Sequence, residues 1–524
     1  MKISLFEKIK KFYHKYFPNY MIFALIFAIL IKLGFFLYGI YCYNHGISVT
    51  RDSVFAGWAS SFWNPDLISD FQGDYILFRN NWLKSKPLYS DAFNGRYIYP
   101  PLYYYLINLF SQWTIFSAPI VILISNIATG YLIFHLSKSL GANGKFSTIM
   151  MLLTLLSPFN LFYSDFLWQN TGVFTTFAVW SMLEISKERY ESGMVLIGIA
   201  ICIKQVAVFF LPILLLGIVY KVDSKPEYKF KTKNKIKEYF KSISWSTLIY
   251  YASIPVIIFI ICSIPYIFTI PGTYFSHLLG RSSKNVNFII KYFGDVVPVY
   301  NDYGFLGYFP NTSFMDEGKI YVLNSRSALD LALIWIGHLF KIPTYVTIGF
   351  SILFHFNIFM IMGVIIININ FWRIAKKKIY STDKEYYWLI FFSASLSVFA
   401  MLALYDLGIY KYYFVSITPF WAMFGLSGKL NHSIWKKNNK VSKLKDQFYG
   451  GGAIFHVVTQ LALQVIMIYF NKWLAPAFLF LPLFLFSFIN LWKRSKSEKI
   501  WRFSEKFNLN PTTYVDLQSL CAEP

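Results

Sequence analysis

Residues 198–212 read GIAICIKQVAVFFLP and place a lysine, Lys204, and a glutamine, Gln205, inside an otherwise apolar run. A helix needs about 20 apolar residues to cross the hydrocarbon core of a bilayer. An ionised side chain at that depth is costly unless it faces a partner or a cavity. We therefore expect the run to be divided at Lys204 into two short spans that meet near one membrane surface. A lysine that extends from a helix end to the surface is the simpler alternative.

The apolar character of this run extends over the whole chain of 524 residues, which is 56% hydrophobic, 21% aromatic and only 14% charged. Soluble domains contain about 25% charged residues. We expect an all-α polytopic membrane protein with about twelve transmembrane helices, counted as apolar runs long enough to span. The spans are predicted near residues 21–41, 114–137, 146–164, 170–186, 193–204, 206–220, 246–270, 344–370, 387–405, 413–429, 452–471 and 473–492.

The net charge of +23 does not indicate a nucleic-acid-binding protein, because the basic residues alternate with the predicted spans. Most of the 49 lysine and arginine residues fall on one side if the amino terminus is cytoplasmic, including the basic loop at 221–241. Excess positive charge marks cytoplasmic loops. Both termini are therefore predicted inside, in the plasma membrane of a prokaryote or the endoplasmic reticulum of a eukaryote. Two long outer segments follow, at residues 42–114 and 271–343.

The first outer segment contains GDYILFRNNWLKSKPLYSDAFNGRYIYPPLYYYL, residues 73–106. Asp70 and Asp74 are four residues apart, so on a helix they would share a face, and Tyr75 follows directly. We expect a short helix on the membrane surface with acids at its start. Such carboxylates could be only helix caps or dipole partners, and the aromatic residues could be only an interfacial anchor.

Three basic residues are predicted on the same outer side as these acids: Lys204, Arg281 in SHLLGRSSKNVNF, and Lys411 in LYDLGIYKYYF. Carboxylates opposite fixed cations suit an anionic lipid-linked substrate, because a hydroxyl nucleophile needs a base and a phosphate needs positive charge. The four cysteines have no metal-site or redox-motif spacing, and no metal or other cofactor is predicted.

Four local patterns, in the same order, resemble the endoplasmic-reticulum glucosyltransferases that use dolichyl phosphate glucose to extend the lipid-linked N-glycan precursor. The resemblance is also compatible with an archaeal homologue, since the chain is rich in Ile, Lys, Asn, Phe and Tyr. The patterns are Gly73-Asp74-Tyr75 with Tyr99-Pro100-Pro101-Leu102; Asp165, Gln169, Asn170 and Gly172; Lys204 and Gln205 with Phe210 and Pro212; and HLLGRSSKNVNFIIKYF at 277–293.

This resemblance implies a GT-C fold and an inverting transfer of a hexose, glucose in the first place and mannose next, from a dolichyl or polyprenyl monophosphate. The acceptor would be a lipid-linked oligosaccharide on the outer or luminal face, used for protein N-glycosylation. By motif position Asp74 would be the catalytic base, and Asp70 a second carboxylate or a cap. The donor phosphate would be bound by Arg281, Lys204 and Lys411. The remaining candidates for substrate binding are Gln205, Gln169, Asn170, Asp165, Tyr75 and Tyr99.

The resemblance also divides the chain into a GT-C catalytic module at 1–343, carboxy-terminal transmembrane helices at 344–492 and a cytoplasmic tail at 493–524. The expected partners are the lipid-linked donor and acceptor and membrane lipids, with no nucleic acid. A transporter or flippase for an anionic or lipid-linked substrate is the alternative, because it too would have many spans, broken helices and a buried lysine. Transporters place polar sites near the membrane midplane and often have related halves, whereas here the polar residues gather on one side.

Overall fold

The chain forms a bundle of helices in a computed structural model. The structure describes residues 20–45, 70–93, 97, 99–142, 144–169, 172–223, 243–278, 313–316, 319–322, 340, 358–376, 383–404 and 415–420, with scattered positions between 461 and 495.

The helices fall into three groups along the described chain. The first group is α1 (Tyr20–Asn44), a π-helical segment (Asp70–Tyr75), α2 (Ile76–Leu83), a 3₁₀ turn (Asp91–Phe93) and α3 (Pro101–Ile107). The second is α4 (Ser117–Ser139), α5 (Gly144–Leu155), a second π-helical segment (Asn160–Phe166), α6 (Val173–Ser186), α7 (Tyr190–Ile203), a 3₁₀ helix (Gln205–Phe210) and α8 (Leu211–Val222). The third is α9 (Trp245–Thr269), α10 (Pro271–Leu278), α11 (Ile358–Lys376) and α12 (Asp383–Leu404).

Five stretches of the described residues are long and apolar enough to cross a membrane: Tyr20–Asn44, Ser117–Ser139, Gln205–Val222, Trp245–Thr269 and Asp383–Leu402. A bent pair of helices raises that number to six. These helices fit a multi-pass membrane protein, and each overlaps a predicted span. The predicted number of about twelve, counted from apolar runs, stays a prediction, because much of 413–492 lies outside the described residues.

Many of the contacts between membrane helices join elements that are close in sequence. Helix α4 contacts α5 and α6, α6 contacts α7, and α7 contacts α9. The candidate span in α12 is completely buried, and the helix contacts α8, α11 and the 3₁₀ helix. In contrast, the spans of α1 and α9 are each only 17% buried. Exposed apolar side chains on these two helices are expected where a helix faces lipid.

The predicted span at 146–164 is bent rather than straight. The axes of Ser147–Leu155 and Asn160–Phe166 differ by 53°. Pro158 explains the break, because proline has no N–H with which to continue the helical hydrogen bonds. The carbonyl that Pro158 would have bonded, that of Thr154, instead accepts a bond of 2.5 Å from the Asn160 amide. Such side-chain bonds are what permits a broken helix at membrane depth.

The apolar run at 198–212 is divided where the sequence predicts. Helix α7 ends with the bond from the Lys204 N–H to the Ala200 carbonyl, 3.0 Å, and Lys204 itself is extended, with φ −148° and ψ 121°. The 3₁₀ helix begins at Gln205 and continues into α8. Two short helical pieces therefore meet at Lys204.

The described residues also contain one β hairpin, which the all-α prediction did not include. Strands β1 (Ser313–Asp316) and β2 (Lys319–Val322) pair antiparallel, with Ser313 opposite Val322 and Asp316 opposite Lys319. Only Glu317 and Gly318 separate the strands in the sequence, and a two-residue connection with glycine is a typical hairpin signal. The hairpin belongs to the predicted second outer segment and leaves the membrane part helical.

Charged residues join the helix ends on the side opposite Lys204. The Lys221 ammonium at the end of α8 lies 2.8 Å from the Asp383 carboxylate at the start of α12 and 3.7 Å from Glu188 between α6 and α7. The predicted topology assigns these three positions to the same, cytoplasmic side. Their contact agrees with the predicted alternation of the helices, while the compartment of the termini stays a prediction.

Candidate active site

Residues 70–106 are the predicted outer tract. Its acidic start forms a π-helical segment, Asp70–Tyr75, instead of an α-helix. Single π-helical turns are rare and occur frequently at functional sites. The Asp74 side chain is half-buried and the Tyr75 side chain is buried. The Asp70 side chain lies outside the described part, so its prediction as cap or second carboxylate stays open.

The aromatic residues that follow belong to the main core of the bundle. Tyr97, Tyr103 and Phe93 are completely buried. The Tyr97 hydroxyl donates to the Pro100 carbonyl at 2.7 Å, and the Tyr89 hydroxyl donates to the Tyr99 carbonyl at 2.6 Å. This supports packing as their main role, because hydroxyls bonded to the backbone inside a core hold the loop in one shape.

Burial also decides which groups in this tract could act as a base. Desolvation raises the pKa of Tyr89 and of Tyr97 above the ordinary value for tyrosine, because the phenolate would be formed away from water. Both hydroxyls therefore stay protonated at physiological pH. Of the described side chains in the tract, the half-buried carboxylate of Asp74 is the better candidate for accepting a proton.

Lys204 lies inside the protein, with 8% of the residue exposed. Its Nζ atom is 5.8 Å from the ring centroid of Tyr99 and 5.8 Å from that of Phe174. Both distances are within the range of a cation–π interaction. The alternative, a lysine extended to the membrane surface from a helix end, is therefore not what the structure contains. Lys204 instead contacts the first outer tract through Tyr99 and the start of α6 through Phe174.

The contacts continue from Tyr99 towards Asp74. The rings of Tyr99 and Tyr103 have centroids 5.0 Å apart, and the Tyr103 hydroxyl is 3.4 Å from the Tyr75 hydroxyl. Tyr75 is the neighbour of Asp74 in the π-helical segment. A continuous row of side chains therefore connects Tyr75, the residue after the candidate base, to Lys204, across a large separation in sequence.

The second pattern of the sequence, around Gln169, joins the same region through an aromatic contact. The centroids of the Trp168 and Phe71 rings are 4.8 Å apart, with an angle of 67° between the ring planes. Gln169 is buried, and its backbone N–H donates to the Tyr163 carbonyl at 2.8 Å. Because Phe71 belongs to the π-helical segment of Asp74, this contact brings the first two sequence patterns together.

Asp165, a predicted substrate-binding residue, has a partner that sequence reasoning missed. Its Oδ2 atom lies 2.6 Å from the Nζ atom of Lys32 in α1, and both side chains are completely buried. The sequence did indicate that Lys32 has a partner, because it is an ionisable residue within the first predicted span, and such residues are generally paired. The partner could not be read from local spacing, since the two residues are 133 positions apart.

Of the four remaining candidates, the structure describes only Gln205. Gln205 is partly buried at the first position of the 3₁₀ helix, next to Lys204. Three further predicted residues lie outside the described part of the chain, and their roles stay predictions: Asn170, Arg281 and Lys411. The structure therefore brings together three of the four sequence patterns and does not test the fourth.

The segment that contains most of these residues matches the model of a known protein family. Residues 97–298 match the model of glycosyltransferase family 87. This match supports the predicted enzyme class, a glycosyltransferase. It includes Tyr99, Asp165, Lys204 and the Arg281 region but begins after Asp74, and the resemblance to dolichyl-phosphate-glucose enzymes is not confirmed.

The chain was also compared with curated proteins and with solved structures. No curated protein matches the sequence significantly. Among solved structures, the chain is similar to the oligosaccharyltransferase of Archaeoglobus fulgidus in the apo form, with 13% identity and a TM-score of 0.34. The alignment covers 97% of this chain and 60% of that one, so the chain spans less than two thirds of the length of that protein.

Proposed function

We propose that the chain is an inverting membrane glycosyltransferase of the GT-C type, which transfers a hexose from a polyprenyl or dolichyl monophosphate to a lipid-linked acceptor on the outer face. The observation that carries this proposal is the row of contacts from Tyr75, beside Asp74, through Tyr103 and Tyr99 to Lys204. The match of residues 97–298 to glycosyltransferase family 87 supports the same class of reaction.

The chemistry requires a carboxylate and fixed positive charge near one another. A sugar hydroxyl becomes a better nucleophile when a base within hydrogen-bond reach removes its proton. In the proposed site the Asp74 carboxylate takes this proton as the hydroxyl oxygen attacks the anomeric carbon. The bond from that carbon to the phosphate oxygen breaks on the opposite side, so the configuration inverts, and polyprenyl phosphate leaves.

The leaving phosphate gains negative charge as that bond breaks, and preorganised cations stabilise the transition state. Lys204 is suited to this role because its ammonium lies against two aromatic rings, which stabilise a buried positive charge. Arg281 could add a bidentate contact and Lys411 a further charge. Gln205, Gln169, Asn170, Tyr75 and Tyr99 remain the proposed substrate contacts.

A more specific part of the proposal is the identity of the transferred sugar and of the acceptor. Glucose is the first expectation for the transferred sugar and mannose the second, with a lipid-linked oligosaccharide of protein N-glycosylation as acceptor. These expectations rest on the sequence patterns alone. They require a separate measurement for each donor.

A transfer assay tests the proposal. Purified protein in lipid nanodiscs is incubated with radiolabelled polyprenyl-phosphate glucose or mannose and a lipid-linked oligosaccharide, and the product glycolipid is separated and counted. We expect transfer from one donor, its loss in Asp74→Asn, and its retention in Asp91→Asn, a matched acid of the same tract with no assigned role.

Absence of transfer from every donor would reject the enzyme proposal. The transporter alternative would then be tested in liposomes, by movement of a fluorescent polyprenyl phosphate between leaflets. Full activity of Asp74→Asn would instead reject the assigned base while leaving the reaction class in place.

A further inference from the structure

Helix α1 has a single buried face, and Lys32 lies in the middle of it. The buried residues of this helix are Ala28, Lys32, Phe36, Gly39 and Cys42. Their spacing of three or four residues places them along one side of an α-helix. The other residues of the helix are partly or fully exposed. The buried face of α1 therefore has one charged residue among small and apolar ones.

Lys32 binds both sides of the bend described above. Its Nζ atom donates to Asp165 Oδ2 at 2.6 Å, in the π-helical segment after the bend, and to the Leu155 carbonyl at 3.3 Å, at the end of α5 before it. The Leu155 carbonyl is at a helix end, where no intrahelical partner follows. The residue that would have bonded it, Phe159, donates its N–H to Gln464 Oε1 at 3.3 Å. Lys32 thus replaces a missing helical bond and pairs with a carboxylate.

The same face of α1 continues towards the candidate active site. One turn after Lys32, the Phe36 ring lies 6.2 Å from the Trp168 ring, just beyond the π-helical segment. A further turn on, a Cβ atom at Gly39 would lie 2.7 Å from the Phe166 carbonyl oxygen and 2.9 Å from Trp168 Cζ2. The helix therefore fits closely against the end of this segment, and Trp168 in turn contacts Phe71.

We infer that Lys32 is a positioning residue for the candidate active site. By joining Leu155 to Asp165 it fixes the bend, the bend fixes Trp168, and Trp168 holds Phe71 and with it the π-helical segment that contains Asp74. The ion pair acts through these contacts and not on substrate, because both of its side chains are completely buried. The catalytic part of this inference rests on the proposed function.

Kinetics of a charge-neutral pair test the positioning role. A single substitution leaves one buried charge without its partner, which destabilises a protein strongly. The double variant Lys32→Met/Asp165→Asn removes both charges and avoids that defect. We expect this variant to purify as a monodisperse protein with kcat lowered about 10²-fold, since small displacements of a catalytic group have effects of this size. KM for donor and acceptor should change little.

The conservative variant Lys32→Arg should retain most of the turnover that the double variant loses, because arginine keeps the positive charge and the hydrogen-bond donors. A purely structural role predicts a lower melting temperature with unchanged kcat for the folded fraction. Unchanged kcat in the double variant would therefore overturn the inference.

A distance measurement tests the inference without catalysis. Spin labels are attached to cysteines at Asn80, which is exposed on α2, and Val208, which is exposed beside Lys204, in a background in which the native cysteines are replaced. The distribution of distances should be narrow with the ion pair and clearly broader in the double variant. An unchanged distribution contradicts positioning. A broadened distribution in a protein that transfers no sugar would keep the positioning role and reject the proposed function.

Discussion

The Lys204 ammonium and the Tyr99 ring are 5.8 Å apart, which joins the break after α7 to the outer tract of Asp74. A buried ammonium over an aromatic face is stabilised by the ring while it keeps its positive charge. The Tyr99 ring therefore stabilises the charge of Lys204 beside the tract. The consequence is that the tract and the break cannot move independently without loss of this contact.

Replacing Lys204 should impair transfer more than folding. In Lys204→Met the apolar length is kept and the charge is lost, so we expect kcat to fall about 10²-fold, as after loss of one transition-state contact. Lys204→Arg should retain more activity. The matched control is Lys221→Met, which removes a lysine at the opposite ends of the helices and should leave turnover close to that of the unchanged protein. Full turnover in Lys204→Met would exclude this residue from the phosphate site.

The two acids of the π-helical segment should differ in their effects. Asp74→Asn is expected to lower kcat about 10³-fold, within the range for loss of a general base. Asp70→Asn should have a smaller effect, on KM or on stability, if it orients the acceptor or caps the segment. The measurement is the initial rate of sugar transfer at saturating donor. The reverse order of effects would assign the base to Asp70.

Two glycines of α1 provide a stability test. A Cβ at Gly39 would meet the Phe166 carbonyl and Trp168, whereas a Cβ at Gly34 has nothing within 4 Å. Gly39→Ala should therefore destabilise the protein, by about 1–3 kcal/mol if overpacking is similar to that in soluble cores. Gly34→Ala should leave stability unchanged or slightly higher, since alanine favours the helix. Equal melting temperatures of the two detergent-purified variants would contradict the close fit of α1.

The predicted orientation can be tested with single cysteines at exposed positions. Lys86 lies in the outer tract, and Lys384 lies at the first turn of α12 on the side of Lys221. In intact cells or sealed vesicles with the native orientation, a membrane-impermeant maleimide should label Lys86→Cys directly. It should label Lys384→Cys only after permeabilisation. Opposite labelling would invert the topology derived from the lysine distribution.

Local sequence patterns predicted those features that depend on neighbouring residues. The division of the run at Lys204 follows from a charge in an apolar segment, and the structure contains it at that residue. The span boundaries of α1 and α9 agree with the apolar runs to within a few residues. These features are determined by the cost of moving polar groups into lipid.

Features that depend on distant residues were not predicted. The sequence includes Pro158 in a run interpreted as one span, but the side chains that bind the backbone at the bend, Lys32 and Gln464, come from other parts of the chain. Similarly, the pairing of Lys32 with Asp165 needs three-dimensional proximity. The sequence allowed two interpretations of the aromatic tract, an interfacial anchor and a binding surface. The structure shows that most of its rings are buried in the core.

The Lys32–Asp165 pair also has a consequence for how the protein is made. Synthesis proceeds from the amino terminus, so α1 enters the membrane when the ribosome has yet to add its partner, 133 residues later. A lone lysine at the centre of a helix raises the insertion free energy by about 2.5–3.5 kcal/mol. The mean hydropathy of 2.5 in this helix can offset that penalty. Membrane insertion of α1 and its docking are thus separate events in biogenesis, and the second awaits translation of Asp165.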